Sequence, residues 1–367
     1  MENKIDNFQE VEKLLKKKKL QKIFVISGKN SFYKTGAEKL FFKILKNKEH
    51  FLYLKKGYLP EFSELINIIK LKDNYKPDLI IAIGGGCAMD LAKISSVFDY
   101  GKDLKKRVLN NDFSKTKTKV LAIPTTAGSG AEVTSNAVIY INNLKYSVEG
   151  LKLKPDFFSL IPKLLLSSKK PLDASAGFDA ISQSVESLFS QKSNNVSIFF
   201  ARNALKVLLK NTNNFIKNKN IYNAYQMALG ANLSGKAINI SKTIAPHALS
   251  YSFTTMYGVP HGHAVSLSLN KILKFNYFNQ DKANCNFDIK KRYEYLFKLT
   301  KSKNIYELDF FFKKLKKNIK LEQNFDKLGI NLKRDSKKIF SNVNQQRLKN
   351  NPVKILKSDI PIIFNKY

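Results

Sequence analysis

The chain contains only four histidines, His50, His247, His261 and His263, and three of them fall within seventeen residues, in TIAPHALSYSFTTMYGVPHGHAVSLSL. Clustering of so rare a residue points to a metal or catalytic site, because neutral imidazole is a common metal ligand and titrates nearest neutrality. An oxygen donor is at hand. Asp179 lies in the apolar helical segment AGFDAISQSVES, where a carboxylate is costly unless it is paired or ligating. Gln183 lies one turn on and faces the same way.

Two further segments have the chemistry of a phosphate cradle. Gly84, Gly85 and Gly86 directly follow the run LIIAI and open the helical pattern CAMDLAK, which carries Asp90. Glycines let a backbone approach a pyrophosphate closely, and a helix N-terminus offers unpaired N–H groups and the positive end of its dipole. The second segment, PTTAGSGAEVT, also follows a strand-like run and brings the hydroxyls of Thr125, Thr126 and Ser129. Such residues hydrogen-bond phosphate, ribose or carboxamide without crowding them.

The elements that must position these groups follow from hydrophobic period. Ile23 to Ser27, Phe51 to Leu54, Leu79 to Ile83 and Val120 to Ile123 are short β-prone runs. Helical patterns lie between them, over Tyr33 to Lys46, Glu61 to Leu71 and Ala88 to Phe98. This alternation predicts a parallel sheet covered on both faces, with ligands beyond the carboxyl ends of its strands. Ala137 to Ile141 and Lys145 to Val148 read as a hairpin on the edge of that sheet. After Pro162 the texture changes to long helical stretches, Ala174 to Ser190, Ser197 to Leu209 and Tyr222 to Ala237, without intervening strands. The expected fold is therefore α/β plus all-α: a Rossmann-like dinucleotide-binding domain over 1–162 and a helical metal-binding domain over 163–367. From about Asp281 the pattern is helical and surface-charged and says no more.

Composition excludes several alternatives. Lys and Arg number 64 against 29 Asp and Glu, a net charge of +35, which by itself would fit a polyanion partner. The lysines, however, spread over nearly every segment, and no confined basic arm, zinc-finger spacing or RNA-recognition signature accompanies them, so no nucleic-acid partner is expected. Two cysteines, Cys87 and Cys285, are too few for a disulfide framework and fit a reducing compartment. The first twenty residues have no secretory apolar core, and no run nears the roughly 20 residues a membrane helix needs. A cytoplasmic protein without a membrane partner is the expectation.

Taken together, GGGCAMDLAK, PTTAGSGAEVTSNAVIY, AGFDAISQSVES and HALSYSFTTMYGVPHGHAV resemble the iron-containing (group III) alcohol dehydrogenases. Their fold is shared with dehydroquinate synthase and glycerol dehydrogenase. The resemblance runs from about Ile23 to Leu273. It implies an NAD(P)H cofactor whose pyrophosphate sits on Gly84 to Asp90, with Thr125, Thr126 and Ser129 lining its cleft. It also implies a divalent metal, iron or zinc, on Asp179, His247 and His261, and a homodimer or larger assembly. Two departures stand out: Gln183 and Tyr251 occupy positions where most members carry histidine. Loss of one imidazole moves the site towards the Asp plus two His pattern of zinc-using members, with Gln183 as a secondary ligand.

ISQSVES, LSGKAINISKTIAPHALSY and VPHGHAVSLSL look like the phosphonoacetaldehyde reductase branch, which makes 2-hydroxyethylphosphonate. The implied chemistry is hydride delivery from NAD(P)H to an aldehyde whose oxygen the metal polarises, with Tyr251 and His263 as the two candidates for relaying the proton. After the first strand, Gly28, Lys29, Asn30 and Ser31 stand where NAD-specific members place an acidic residue, so NADPH should be accepted. Lys236 and Lys242, in GKAINISKTIAPH, are the candidates for binding a phosphonate anion. The rival readings are a generic short-chain aldehyde reductase and a lyase of the dehydroquinate synthase type.

Overall fold

The continuous apolar runs become strands because residues on both of their faces are buried beneath helices. The structure, a computed structural model, describes residues 4–5, 8–142, 144–341, 343 and 345–366. Its strands are β1 (Lys4–Ile5), β2 (Lys22–Gly28), β3 (Glu49–Lys55), β4 (Leu79–Gly84), β5 (Lys119–Pro124), β6 (Asn136–Ile141), β7 (Leu144–Glu149) and β8 (Phe157–Ser159). Six of them form a parallel sheet in the order β1-β8-β5-β4-β2-β3. The register sets Ser27 opposite Ile83 and Gly84 opposite Pro124. The carboxyl ends of β2, β4 and β5 therefore finish level and side by side, and each is followed by one of the glycine-rich or hydroxyl-rich segments.

Two expectations need correction. The hairpin β6–β7 is not on the edge of the large sheet; it is an antiparallel sheet of its own. The position beside β5 is taken by β8, with β1 beyond it. The approach to the hairpin is instead tied to the helix Gly86–Val97: the fully buried Lys93 donates to the Ala131 carbonyl at 3.1 Å, Thr134 Oγ1 at 2.9 Å and the Asn136 carbonyl at 2.5 Å. The second correction concerns Tyr33 to Lys46, which forms two helices, Lys29–Tyr33 and Ala37–Leu45, separated at Gly36 with φ +80°. A left-handed residue cannot continue an α-helix, and glycine adopts that conformation without a Cβ penalty.

The chain divides into two compact units, Met1–Ser168 with Asn220–Ala228, and Lys169–Lys219 with Leu229–Tyr367. Among its described residues the second contains helices and no strand. Its central helix, Lys170–Phe189, is buried on every side from Gly177 to Phe189, so its polar residues Asp179, Gln183 and Glu186 must find partners inside the protein. The helix Ala245–Tyr257 is packed by Ile330, Ile339, Val353, Ile355, Ile360 and Ile363. The C-terminal segment that carries no readable motif is thus the wall that holds His247 in place.

A buried lysine fastens the helix Ile305–Asn318 to the segment after the histidine pair. Lys316 Nζ donates to the Ser266 carbonyl at 3.1 Å and to Asn270 Oδ1 at 2.9 Å. Burial lowers its pKa to about 7, with Asp309 opposing the shift only in part. The folded state therefore resists a proton that the unfolded chain keeps to about pH 10. Stability should be lowest below pH 7 and rise as the pH goes from about 7 to about 10, where the unfolded state binds more protons. Denaturant unfolding at several pH values checks this, and Lys316→Met should flatten the rise. An identical pH slope in the variant would contradict it.

Candidate metal and cofactor sites

In the first unit the three ligand-like segments meet. A Cβ placed on Gly85 would lie 3.2 Å from Thr126 Oγ1, and one on Gly86 would lie 3.1 Å from Ser129 Oγ. Ser31 lies beside both strand ends, its Oγ 3.5 Å from a Cβ on Gly28 and 3.7 Å from one on Gly84. Gly84 is also closed to any side chain, since a Cβ there would come within 2.8 Å of the Cβ of Ala88. The helix Gly86–Val97 starts without a side-chain cap, so its first N–H groups are those that an anion would use. Lys29 is exposed at the start of the helix Lys29–Tyr33.

Asp90 lies further along that helix. Burial pushes its carboxyl up to about 6, with Lys93, the Val138 N–H and Lys145 pulling the other way. Cys87 donates its thiol to the Tyr58 carbonyl at 3.1 Å, and burial raises it to about 11. It is a protonated packing group, not a nucleophile. Lys145, which periodicity assigned only to a hairpin strand, is a nearby cation the sequence reading passed over.

In the second unit, Asp179, His247 and His261 converge, each offering one ligand atom within 4.8 Å of the others. Asp179 Oδ1 is 3.2 Å from His247 Nε2 and 4.0 Å from His261 Nε2. Ligands about 2.0–2.2 Å from a tetrahedral ion stand roughly 3.3 Å apart, so a small inward adjustment would complete the shell. Both rings are fixed in the tautomer a metal needs. His247 Nδ1 donates to Glu186 Oε1 at 2.5 Å. The Ser250 hydroxyl donates to the His247 carbonyl at 2.8 Å, leaving its oxygen to accept from His261 Nδ1 at 3.4 Å. Each Nε2 lies on the Asp179 side, where that of His247 donates to Oδ1 until an incoming ion displaces its proton.

Glu186 does two things. Its other oxygen accepts the Ile244 N–H at 2.8 Å and the His247 N–H at 3.4 Å, capping a helix whose first turn holds Pro246. Burial disfavours charge on the His247 ring, but Glu186 and Asp179 outweigh it and raise the ring to about 9. Without metal the ring holds a proton that an incoming ion must displace. Reading the sequence by residue type missed Glu186; its signal was the seven-residue spacing from Asp179, two turns along one buried helix.

Gln183 presents its amide nitrogen, not its oxygen, to the site. Nε2 donates to Asp179 Oδ2 at 3.3 Å while Oε1 accepts from Ser234 Oγ at 2.8 Å. Tyr251 stacks on His261 with ring centroids 6.0 Å apart and planes at 21°. His263 Nε2 donates to the Glu322 carbonyl at 2.7 Å, and burial lowers its pKa. Lys236 Nζ lies 5.6 Å from the Phe200 ring centre. Lys242 ends the helix Ile221–Ser241 in the left-handed region, φ +61°.

Comparisons with known proteins establish the family. Residues 4–162 match the model described as iron-containing alcohol dehydrogenase, and residues 173–367 match that described as Fe-containing alcohol dehydrogenase family, C-terminal. The chain belongs to the iron-containing alcohol dehydrogenase family. Among curated relatives of this alcohol dehydrogenase family member, the aldehyde-alcohol dehydrogenase of Streptococcus pneumoniae is 29% identical over 216 residues, 55% of this chain and 24% of that protein. The phosphonoacetaldehyde reductase of Streptomyces viridochromogenes is 31% identical over 214 residues, 55% of this chain and 54% of that protein. The chain thus spans about a quarter and about half of these two relatives. An alcohol dehydrogenase structure from Oenococcus oeni shares the fold with TM-score 0.89 at 21% identity, covering 99% of this chain and 97% of that one. Among the described residues no helix is long and apolar enough to cross a membrane.

What lets the second histidine reach the aspartate is the residue after it. A Cβ on Gly262 would collide with the Ser175 carbonyl and come within 2.7 Å of Asp179 Cβ. The His263 N–H donates to Ser175 Oγ at 3.1 Å across the same contact. Gly262→Ala should therefore push the two helices apart, costing about 1–3 kcal/mol of stability and most of the metal content. Thermal unfolding with metal analysis of the purified protein measures both. Stoichiometric metal at unchanged stability would contradict the role given to this contact.

Proposed function

We propose that this protein is an NAD(P)H-dependent, metal-assisted reductase of a small aldehyde, with phosphonoacetaldehyde as substrate and 2-hydroxyethylphosphonate as product. The observation that carries the reading is the convergence of two imidazole Nε2 atoms on Asp179 Oδ1, each ring locked by a partner on its Nδ1, in a member of the alcohol dehydrogenase family. The donor chemistry of one carboxylate and two neutral imidazoles suits zinc or iron(II) and leaves positions open for substrate. When bound, a divalent metal supplies Lewis acidity to a carbonyl oxygen and the reduced nicotinamide supplies hydride.

Asp179, His247 and His261 are the metal-holding residues. Glu186 holds His247 in its ligating tautomer, and Gln183, pinned by Ser234, orients Asp179 through its second oxygen. Gly84 to Gly86, Thr125, Thr126 and Ser129 form the cofactor cradle, while Gly28, Lys29 and Ser31 leave no acidic side chain to repel a 2′-phosphate. Tyr251, stacked on His261, is the better placed of the two proton-relay candidates, since the His263 Nε2 proton is committed to Glu322.

The anionic substrate rests on the phosphonoacetaldehyde reductase relative and on the lysines of GKAINISKTIAPH. Lys236 over the Phe200 ring favours the broader reading, a short-chain aldehyde reductase without anion selectivity, and shifts the weight of phosphonate binding to Lys242. The native enzyme should prefer phosphonoacetaldehyde to propanal in kcat/KM. Lys242→Gly relieves a left-handed conformation costing about 1 kcal/mol, so the variant should be at least as stable as the parent. Its phosphonoacetaldehyde preference should still fall by roughly 30-fold, the loss of one charge-assisted partner. Equal kcat/KM for the two aldehydes in the native protein would reject the anionic substrate.

A further inference from the structure

The second unit contains a cavity of about 380 Å³ between the helices Asn195–Lys217 and Ile289–Thr300, lined by Arg202, Lys206 and Arg292 with Ile198, Phe199 and Asn203. None of these residues belongs to the metal or cofactor groups described above. We propose that this cavity binds a small organic oxyanion, a phosphate or carboxylate carried on an apolar group.

Three observations support it. First, the lining brings three cations together and no carboxylate. Asp288, which acts on Arg292 only weakly, has its oxygens in use: Oδ1 caps the helix Ile289–Thr300 at the N–H groups of Lys290 and Lys291, and the other oxygen faces Lys291 Nζ at 3.9 Å. The two guanidiniums are close enough that, after burial, Arg202 is the next cause of the lowered pKa of Arg292. A like-charged pair whose mutual repulsion outweighs the attraction of Asp288 raises the free energy of the empty site.

Second, the Nε atoms of Arg202 and Arg292 are both buried without a hydrogen-bond partner. A buried unsatisfied donor costs about 1–3 kcal/mol, more when charged, so both guanidiniums carry hydrogen-bonding capacity that the protein itself leaves unused. Third, the guanidiniums are held ready. Arg202 lies 4.4 Å from the Tyr295 ring centre and Arg292 4.9 Å from that of Phe287. Stacking on aromatic rings fixes the plane of the donor fork, which matches carboxylate and phosphate geometry.

The apolar side of the cavity fixes the ligand's other end. Ile198 and the exposed Phe199 line it, and the volume falls in the roughly 300–1,000 Å³ range of small-molecule sites. A bare inorganic anion would leave that apolar surface unused. The expected order of affinity is therefore an aryl oxyanion above inorganic phosphate.

The test is calorimetric titration of the full-length protein, saturated with NADPH and with metal chelated, using phenyl phosphate, benzoate and inorganic phosphate. Binding of one phenyl phosphate or one benzoate per chain, tighter than inorganic phosphate, is expected; which of the two binds better assigns the oxyanion as phosphate or carboxylate. Arg202→Gln and Arg292→Gln should each weaken it about tenfold or more, the loss of a charged hydrogen-bond partner. Should either variant fail to fold, Lys206→Gln replaces an exposed side chain and should still weaken binding about threefold through lost Coulomb attraction. No saturable binding of any of the three anions, or binding unchanged in Lys206→Gln and in every folded arginine variant, would overturn the proposal.

Discussion

The contact between Gly262 and the Ser175 carbonyl is the tightest constraint in the second unit, and the rest of the metal site depends on it. Two helices approach so closely there that no side chain fits, and the approach is what carries His261 to within 4.0 Å of a carboxylate on a buried helix. The neighbouring residues serve the same approach. Gly258 closes the preceding helix in the left-handed region at φ +68°, and Pro260 opens the next one with His261 as its first residue. His261 is thus placed by fixed backbone geometry immediately before it and by the helix that follows.

Around that contact the electrostatics are closed locally. Two carboxylates, Asp179 and Glu186, and the His247 imidazole form one buried hydrogen-bonded group, with the half-exposed His261 ring beside it, in a chain whose net charge is +35. Burying Asp179 is costly without partners, and here its Oδ2 receives the Gln183 amide while Oδ1 faces the imidazoles. Glu186 is likewise fully used, by a ring nitrogen and by two backbone N–H groups at a helix start. Such a group is pre-organised for a cation: its partners set the tautomers and leave the facing lone pairs without a proton once the ion arrives.

How much of this was legible in the sequence depended on the range of the interaction involved. The interior strands could be read because their apolar runs reflect burial on both faces, a local signal. β1 and β8, two and three residues long, have no period to detect, and their sheet positions are set by pairing with distant segments. The detached hairpin was misplaced for a related reason: what anchors its approach is the Lys93 ammonium, forty-three residues from Asn136 in sequence. The aspartate and both histidines stood out by residue type and clustering. Glu186 did not, because one glutamate in a helix is unremarkable until the opposing helix start shows what it binds. The acceptor-only Asp179 carboxylate calls for the NH2 side of Gln183, and the partner left for its oxygen, Ser234, lies fifty-one residues on, beyond local reading.

Aldehyde reduction depends, on this reading, on an ion held by Asp179, His247 and His261. The most direct measurement is NADPH oxidation by the anaerobically purified protein, before and after chelation and after reloading with zinc or iron(II), alongside His261→Ala treated in the same way. Chelation should abolish turnover, one equivalent of metal should restore it, and His261→Ala should recover neither metal nor turnover. Undiminished aldehyde reduction by the fully chelated protein would contradict this reading.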